Sequence, residues 1–215
     1  MQEQHTRRRG RPLSFDRDTA LEKAMLLFWK YGYEATSISD LTQTMGITAP
    51  SLYAAFGDKR HLFMETIQRY VDSKGCRVKE ILASAPSAKI ALELYLYENA
   101  FRLTQPALPH GCMIVTAATN CSQESACVQE ELAQRRSDIK AVIQARLQRG
   151  IDEGDVAANT DTGKLANFYS TIVNGMTIQA RDGASTEDLL EIGKTAMEVW
   201  PSCCQGKKEV DSDNE

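Results

Sequence analysis

Histidine is scarce in this chain: His5, His61 and His110 are the only three in 215 residues. None of the strings G-x-x-x-x-G-K-S/T, H-E-x-x-H or G-x-S-x-G occurs. The phosphate loop, the zinc-hydrolase helix and the nucleophile elbow are therefore excluded, and no enzyme is expected. No stretch of about 18 apolar residues is present, so no membrane span is expected. The N-terminus is polar and basic with no apolar run behind it, so no secretory leader is expected either. A reducing cytoplasm is the expected compartment, where the six cysteines should be thiols rather than a disulfide framework. The spacing of His110, Cys112, Cys121 and Cys127 matches no standard zinc pattern, and neither a metal nor another cofactor is expected. Glycine (13) and proline (6) are modest, against a fibrous or broadly disordered class. Sustained period-two alternation is missing, as is any repeat of fixed period, so the expectation is an all-α chain with no sheet.

Apolar residues make up 42% of the chain, ample for a packed interior. The net charge is −4, which is unfavourable for meeting phosphate, but its distribution matters more than its sum. Residues 1–60 hold nine Lys/Arg against seven Asp/Glu, whereas the remainder holds sixteen against twenty-two. A basic end on an acidic body is the asymmetry of a chain that meets nucleic acid with one end only.

Residues 1–13 read as a flexible basic arm, with Arg7, Arg8, Arg9 and Arg11 broken by Gly10 and Pro12. A helix is predicted from about Asp16 to Gly32, with Ala20, Ala24, Leu27, Phe28 and Tyr31 at helical spacing. Ser37 and Asp40 form an S-x-x-D capping pattern ahead of a second helix that Gly46 stops. Thr48 caps a third, with Pro50 in its first turn and Leu52 and Phe56 facing inward; Gly57 ends it. A long fourth helix is predicted to carry Leu62, Phe63, Ile67, Tyr70, Val71, Val78, Ile81 and Leu82 until Pro86 breaks it. Further helices are predicted over about 87–104, 112–118, 123–153, 161–181 and 186–199, with a polar, acidic, disordered tail over 201–215. The division is an arm (1–13), a helix-turn-helix domain (14–60), a helical body (61–200) and the tail.

Two short helices around Gly46 are a DNA-reading arrangement when the second can enter the major groove. The wider string from Ala24 to Ile67 closely resembles the N-terminal domain of TetR/AcrR-family regulators. The matching runs are Phe28, Gly32, Tyr33, Thr36 and Ser37; then Ile38, Leu41, Gly46 and Ile47; then Ser51, Leu52, Tyr53 and Phe56; then Lys59, Leu62 and Phe63. Thr42 stands where Ala is usual, and Ala49 and Pro50 stand where Lys or Arg and Gly are usual, so base preference does not transfer.

The resemblance implies a ligand-responsive regulator, a repressor, that binds a palindromic double-stranded DNA operator as a homodimer and releases it when a small-molecule effector binds. By position, Thr36 and Ser37 would offer hydroxyl and amide groups to phosphate. Thr48, Ala49, Pro50 and Ser51 would face base edges, the apolar pair meeting thymine methyls. Tyr53, Lys59 and His61 would grip phosphates. The R-G-R-P core of the arm could lie in an A·T-rich minor groove or act as a solvated basic tail. Effector-lining candidates are Tyr95, Tyr97, Phe101, Cys112, Met113 and Asn120, each alternatively a plain packing residue. The helices over 161–181 and 186–199 are apolar on two sides, suiting a four-helix dimer interface.

Two other readings stay open. Cys112, at a predicted helix start after His110 and Gly111, could make this a thiol-based redox or electrophile sensor, or be a small buried residue. A nucleoid-type architectural binder would use the arm alone, but the acidic body and large apolar second half argue against it.

Overall fold

The computed structural model describes residues 15–73 and 77–200. Among them the order is α1 (Arg17–Tyr31), α2 (Ile38–Met45), α3 (Ala49–Phe56), α4 (Lys59–Ser73), α5 (Val78–Ser84), α6 (Ala88–Leu103), α7 (Met113–Thr116), a 3-10 turn (Gln123–Ser125), α8 (Ala126–Glu153), α9 (Thr162–Arg181) and α10 (Thr186–Glu198). Among the described residues no strand occurs, and no helix there is long and apolar enough to cross a membrane. The arm arginines Arg7, Arg8, Arg9 and Arg11 and the tail over 201–215 lie outside the described residues.

Caps set most of the helix starts. Asp16, Ser87 and Asp161 each accept a backbone N–H three residues on, at 2.8, 3.2 and 3.0 Å, opening α1, α6 and α9. Ser185 and Asp188 close a reciprocal capping box at the start of α10. Each such cap satisfies donors that the first helical turn leaves without partners.

The long fourth helix is corrected: α4 ends at Ser73 and α5 starts at Val78. The two pieces serve different neighbours. Leu62, Phe63, Ile67 and Tyr70 face α1, while Val78 and Leu82 are buried where α5 meets α6 and α8. Apolar periodicity continues across the join, so the sequence pattern did not separate the two pieces.

The first four helices close around aromatic rings. Phe63 meets Phe28 edge-on at 5.0 Å and Tyr33 at 5.0 Å. Behind them Trp29 meets Tyr70 edge-on at 4.8 Å. Arg17 adds a clasp, its guanidinium 4.4 Å over the Phe56 ring and paired with Glu65 at 2.7 Å. Both ends of that pair are more than a third exposed, so it contributes about 0–1 kcal/mol.

Backbone and side-chain hydrogen bonds dock this head on the helical body. The Tyr33 N–H donates to the Ala117 carbonyl at 2.7 Å. The Trp29 indole N–H donates to the Gly111 carbonyl at 3.1 Å. Arg181 of α9 donates to the carbonyls of Trp29 (3.4 Å) and Lys30 (3.2 Å) at the end of α1. Glu34 accepts from the Ser122 N–H and hydroxyl at 2.9 and 3.0 Å. Gly111 is required in this joint: its φ is +84°, and a Cβ there would sit 3.0 Å from the Thr177 carbonyl oxygen.

Candidate nucleic-acid interface and the cavity of the helical body

The reading head is built by local chemistry. Ser37 Oγ accepts the Asp40 N–H at 3.1 Å, and Asp40 Oδ2 accepts the Ser37 N–H at 2.9 Å and its hydroxyl at 2.6 Å. These bonds, led by the Ser37 hydroxyl, hold the Asp40 carboxyl below the usual carboxylate range. The box therefore contributes fully above the ordinary aspartate pKa and is lost only as pH falls through the lowered value. Gly46 then ends α2 at φ 74° and ψ 33°, and its N–H returns to the Thr42 carbonyl at 2.9 Å. A Cβ at Gly46 would meet nothing within 4 Å, so the left-handed turn rather than space calls for glycine. Thr48 opens α3, sharing a hydroxyl hydrogen bond with Ser51 at 2.9 Å.

Burial sorts the predicted DNA-contact residues. Leu41, Met45, Leu52 and Phe56 turn into the core. Ser37, Thr48, Pro50, Tyr53 and His61 are exposed, and Ala49, Ser51 and Lys59 are half-buried. The Tyr53 ring is 49% exposed, so it is not a core ring. Lys59 lays its ammonium 4.4 Å over the Tyr33 ring, and burial lowers its pKa. His61 sits beside Asp58, its N–H donating at 2.8 Å and its Nδ1 3.0 Å from the carboxylate. Thr36 is corrected: only 1% exposed, its hydroxyl donates to the Gly32 carbonyl at 2.7 Å and cannot reach a phosphate.

A cavity of about 540 Å³ lies in the body between α4, α5, α6, α7, α8 and α9. Of the six lining candidates, Tyr95 and Cys112 border it. The other four are corrected. Tyr97 and Phe101 are 54% and 46% exposed and pack ring against ring at 4.7 Å on the outer side of α6. Met113 is fully buried in the core, and Asn120 is exposed.

Sequence reading missed the polar cluster at the cavity. The Tyr70 hydroxyl donates to Cys112 Sγ at 3.4 Å and accepts from Arg102 Nη1 at 2.6 Å. Arg102 Nη2 donates to Asn99 Oδ1 at 2.8 Å. Arg136 Nη1 donates to the Ile114 carbonyl at 2.9 Å. A signal was available: Asn99 and Arg136 fall in register with the buried stripes Leu92, Tyr95, Leu103 and Val128, Leu132, Ile143. A polar residue on a core-facing stripe needs a partner there or a ligand. No cluster of His, Cys, Asp and Glu able to hold a metal occurs among the described residues.

A capped helix-turn-helix head on an all-helical body with an internal cavity defines a DNA-binding transcriptional regulator. Comparison with known proteins gives the family. The description "Bacterial regulatory proteins, tetR family" matches residues 20–66, and "Tetracyclin repressor-like, C-terminal domain" matches residues 92–189. The HTH-type transcriptional repressor ComR of Escherichia coli is 38% identical over 194 residues, spanning 90% of this chain and 92% of ComR. The HTH-type transcriptional repressor BdcR of Escherichia coli is 29% identical over 192 residues, spanning 88% and 91%. Among solved structures, a cysteine mutant of the TetR family transcriptional regulator CifR, complexed with 26-bp double-strand operator DNA, superposes with a TM-score of 0.86. It is 42% identical, covering 89% of this chain and all of that one. The chain belongs to the TetR family of transcriptional regulators.

Proposed function

We propose that this chain is a dimeric repressor that binds a palindromic operator and releases it when a small molecule enters the cavity of the body. One observation carries the release step. Cys112, in the cavity wall, caps α7, and one turn later the Ala117 carbonyl accepts the Tyr33 N–H of the head. A single helical turn therefore joins the cavity to the α1–α2 turn, so an occupant that moves α7 acts on the head directly.

On DNA, α3 would enter the major groove with Thr48, Ala49, Pro50 and Ser51 at base edges, while Ser37, Tyr53, Lys59 and His61 contact phosphates. The arm arginines would add minor-groove or backbone contacts. The dimer face would be α9 and α10, a reading supported by half-buried Leu165, Phe168, Ile172, Leu190 and Ile192 and exposed Ile178 on these helices. The support from relatives is that ComR and BdcR are repressors and CifR was solved on operator DNA.

Footprinting on the DNA around the chain's own gene tests the reading. The expected result is one protected palindrome with half-sites about one helical turn apart, weakened when residues 1–12 are removed. Uniform protection would instead make it an architectural binder.

A second reading is favoured by the position of Cys112. Its sulfur borders the cavity beneath the Tyr70 hydroxyl, where an entering electrophile would meet it; with a maleimide, sulfur bonds to one alkene carbon as the C=C π bond breaks, and the proton lost from the thiol is taken up by the other carbon. N-ethylmaleimide is then expected to release operator from the wild type and not from Cys112→Ser. Equal release from both would remove Cys112 from sensing.

A further inference from the structure

We propose that the cavity takes a small organic anion, an apolar body ending in a carboxylate or sulfonate, with its charged end held between Arg102 and Arg136. This rests on the reading of the cavity as the effector site and names the chemistry it selects. Most of the wall is apolar, with Val78, Tyr95, Ile114, Val115, Ile139 and Val173 bordering the space. The volume of about 540 Å³ falls within the range of ordinary small-molecule sites.

Four arginines line this space; Arg77 and Arg135 pair with glutamates near them in sequence, and Arg102 and Arg136 reach it from different helices. Arg102 on α6 is oriented by the Tyr70 hydroxyl at 2.6 Å and by Asn99 Oδ1 at 2.8 Å. Arg136 on α8 is oriented by the Ile114 carbonyl at 2.9 Å. Among the described residues no carboxylate pairs with Arg136, and burial lowers its pKa. The acidic groups at the cavity are exposed and already engaged. Asp72 accepts from Gln68 at 2.9 Å, Asp138 accepts from Gln134 at 2.8 Å, and Glu80 pairs with Arg77 at 3.5 Å. Arg135 pairs with Glu131 at 3.5 Å. On α9, the buried Ser170 hydroxyl has no hydrogen-bond partner and can donate to a further ligand oxygen.

A carboxylate or a sulfonate can present two oxygens to a guanidinium fork, and removal from water strengthens the pairing. The same contact explains how binding is transmitted. Arg136 holds α7 through the Ile114 carbonyl; an anion that recruits this guanidinium competes with the carbonyl and loosens the helix that anchors the head.

The test uses two fluorescent probes of nearly one shape, anilinonaphthalene sulfonate and uncharged phenylnaphthylamine, titrated into the full chain. Wild type is expected to bind the sulfonate about tenfold tighter than the amine. Arg136→Gln should erase that preference, Arg136→Lys should keep most of it, and Val173→Trp should displace both probes. Equal binding of the two probes by wild type, with both lost in Val173→Trp, leaves the cavity as a ligand site and overturns the anionic class. Binding of both probes unchanged by Val173→Trp puts them elsewhere and overturns the cavity reading itself.

Discussion

Pro50→Glu is expected to weaken operator binding a hundredfold or more while leaving the protein as stable as before. Residue 50 is exposed in the first turn of α3. A carboxylate there lies at the positive end of the helix dipole, worth about 0.3–1 kcal/mol. That offsets the loss of proline's preset backbone angle. In the groove the same carboxylate would meet base edges between two rows of phosphates. A hundredfold loss corresponds to about 3 kcal/mol, the size of the penalty for burying an unmatched charge at an interface. Anisotropy with a labelled operator duplex at fixed salt, beside a thermal melt, reads both quantities. If the variant melts like the wild type and binds DNA equally well, α3 does not face the groove through its first turn.

Phe63→Ala should give the largest loss of stability of any single truncation in the head. The ring is fully buried and meets Phe28 and Tyr33 edge-on, each at 5.0 Å. Deleting it removes the ring through which α4 holds both α1 and the α1–α2 turn. Truncations of this kind cost about 3–5 kcal/mol, against about 5–15 kcal/mol for an entire domain. For a chain of this size that is a fall in Tm of about 10 °C, with operator binding lost at temperatures where the wild type still binds. A calorimetric loss below about 1 kcal/mol would show that the aromatic trio does not hold the head together.

The reading head was legible from sequence because its determinants are local. Ser37, Asp40, Gly46, Thr48 and Pro50 act within four residues of themselves, through caps and a left-handed turn. The body was less legible. Its α6 is apolar nearly all round, so periodicity did not separate exposed Ile90, Leu94, Tyr97 and Phe101 from buried Leu92, Tyr95 and Leu96. Two lining candidates were misplaced for that reason. Thr36 was misread because a threonine ahead of a helix looks like a surface hydroxyl, whereas here it turns back to the Gly32 carbonyl. Arg102 was passed over because arginine is expected outside, and Arg136 because its register with buried Val128, Leu132 and Ile143 was not read as a demand for a partner.

The bond from the Tyr33 N–H to the Ala117 carbonyl is made by main chain alone. Every amino acid except proline can supply such a donor at position 33, and every one can supply such an acceptor at position 117. The cavity, by contrast, is defined by side chains. On the proposed release step, substitutions in the cavity wall would change the ligand taken without touching this main-chain bond, while Trp29, Glu34 and Arg181 brace the same joint through their side chains.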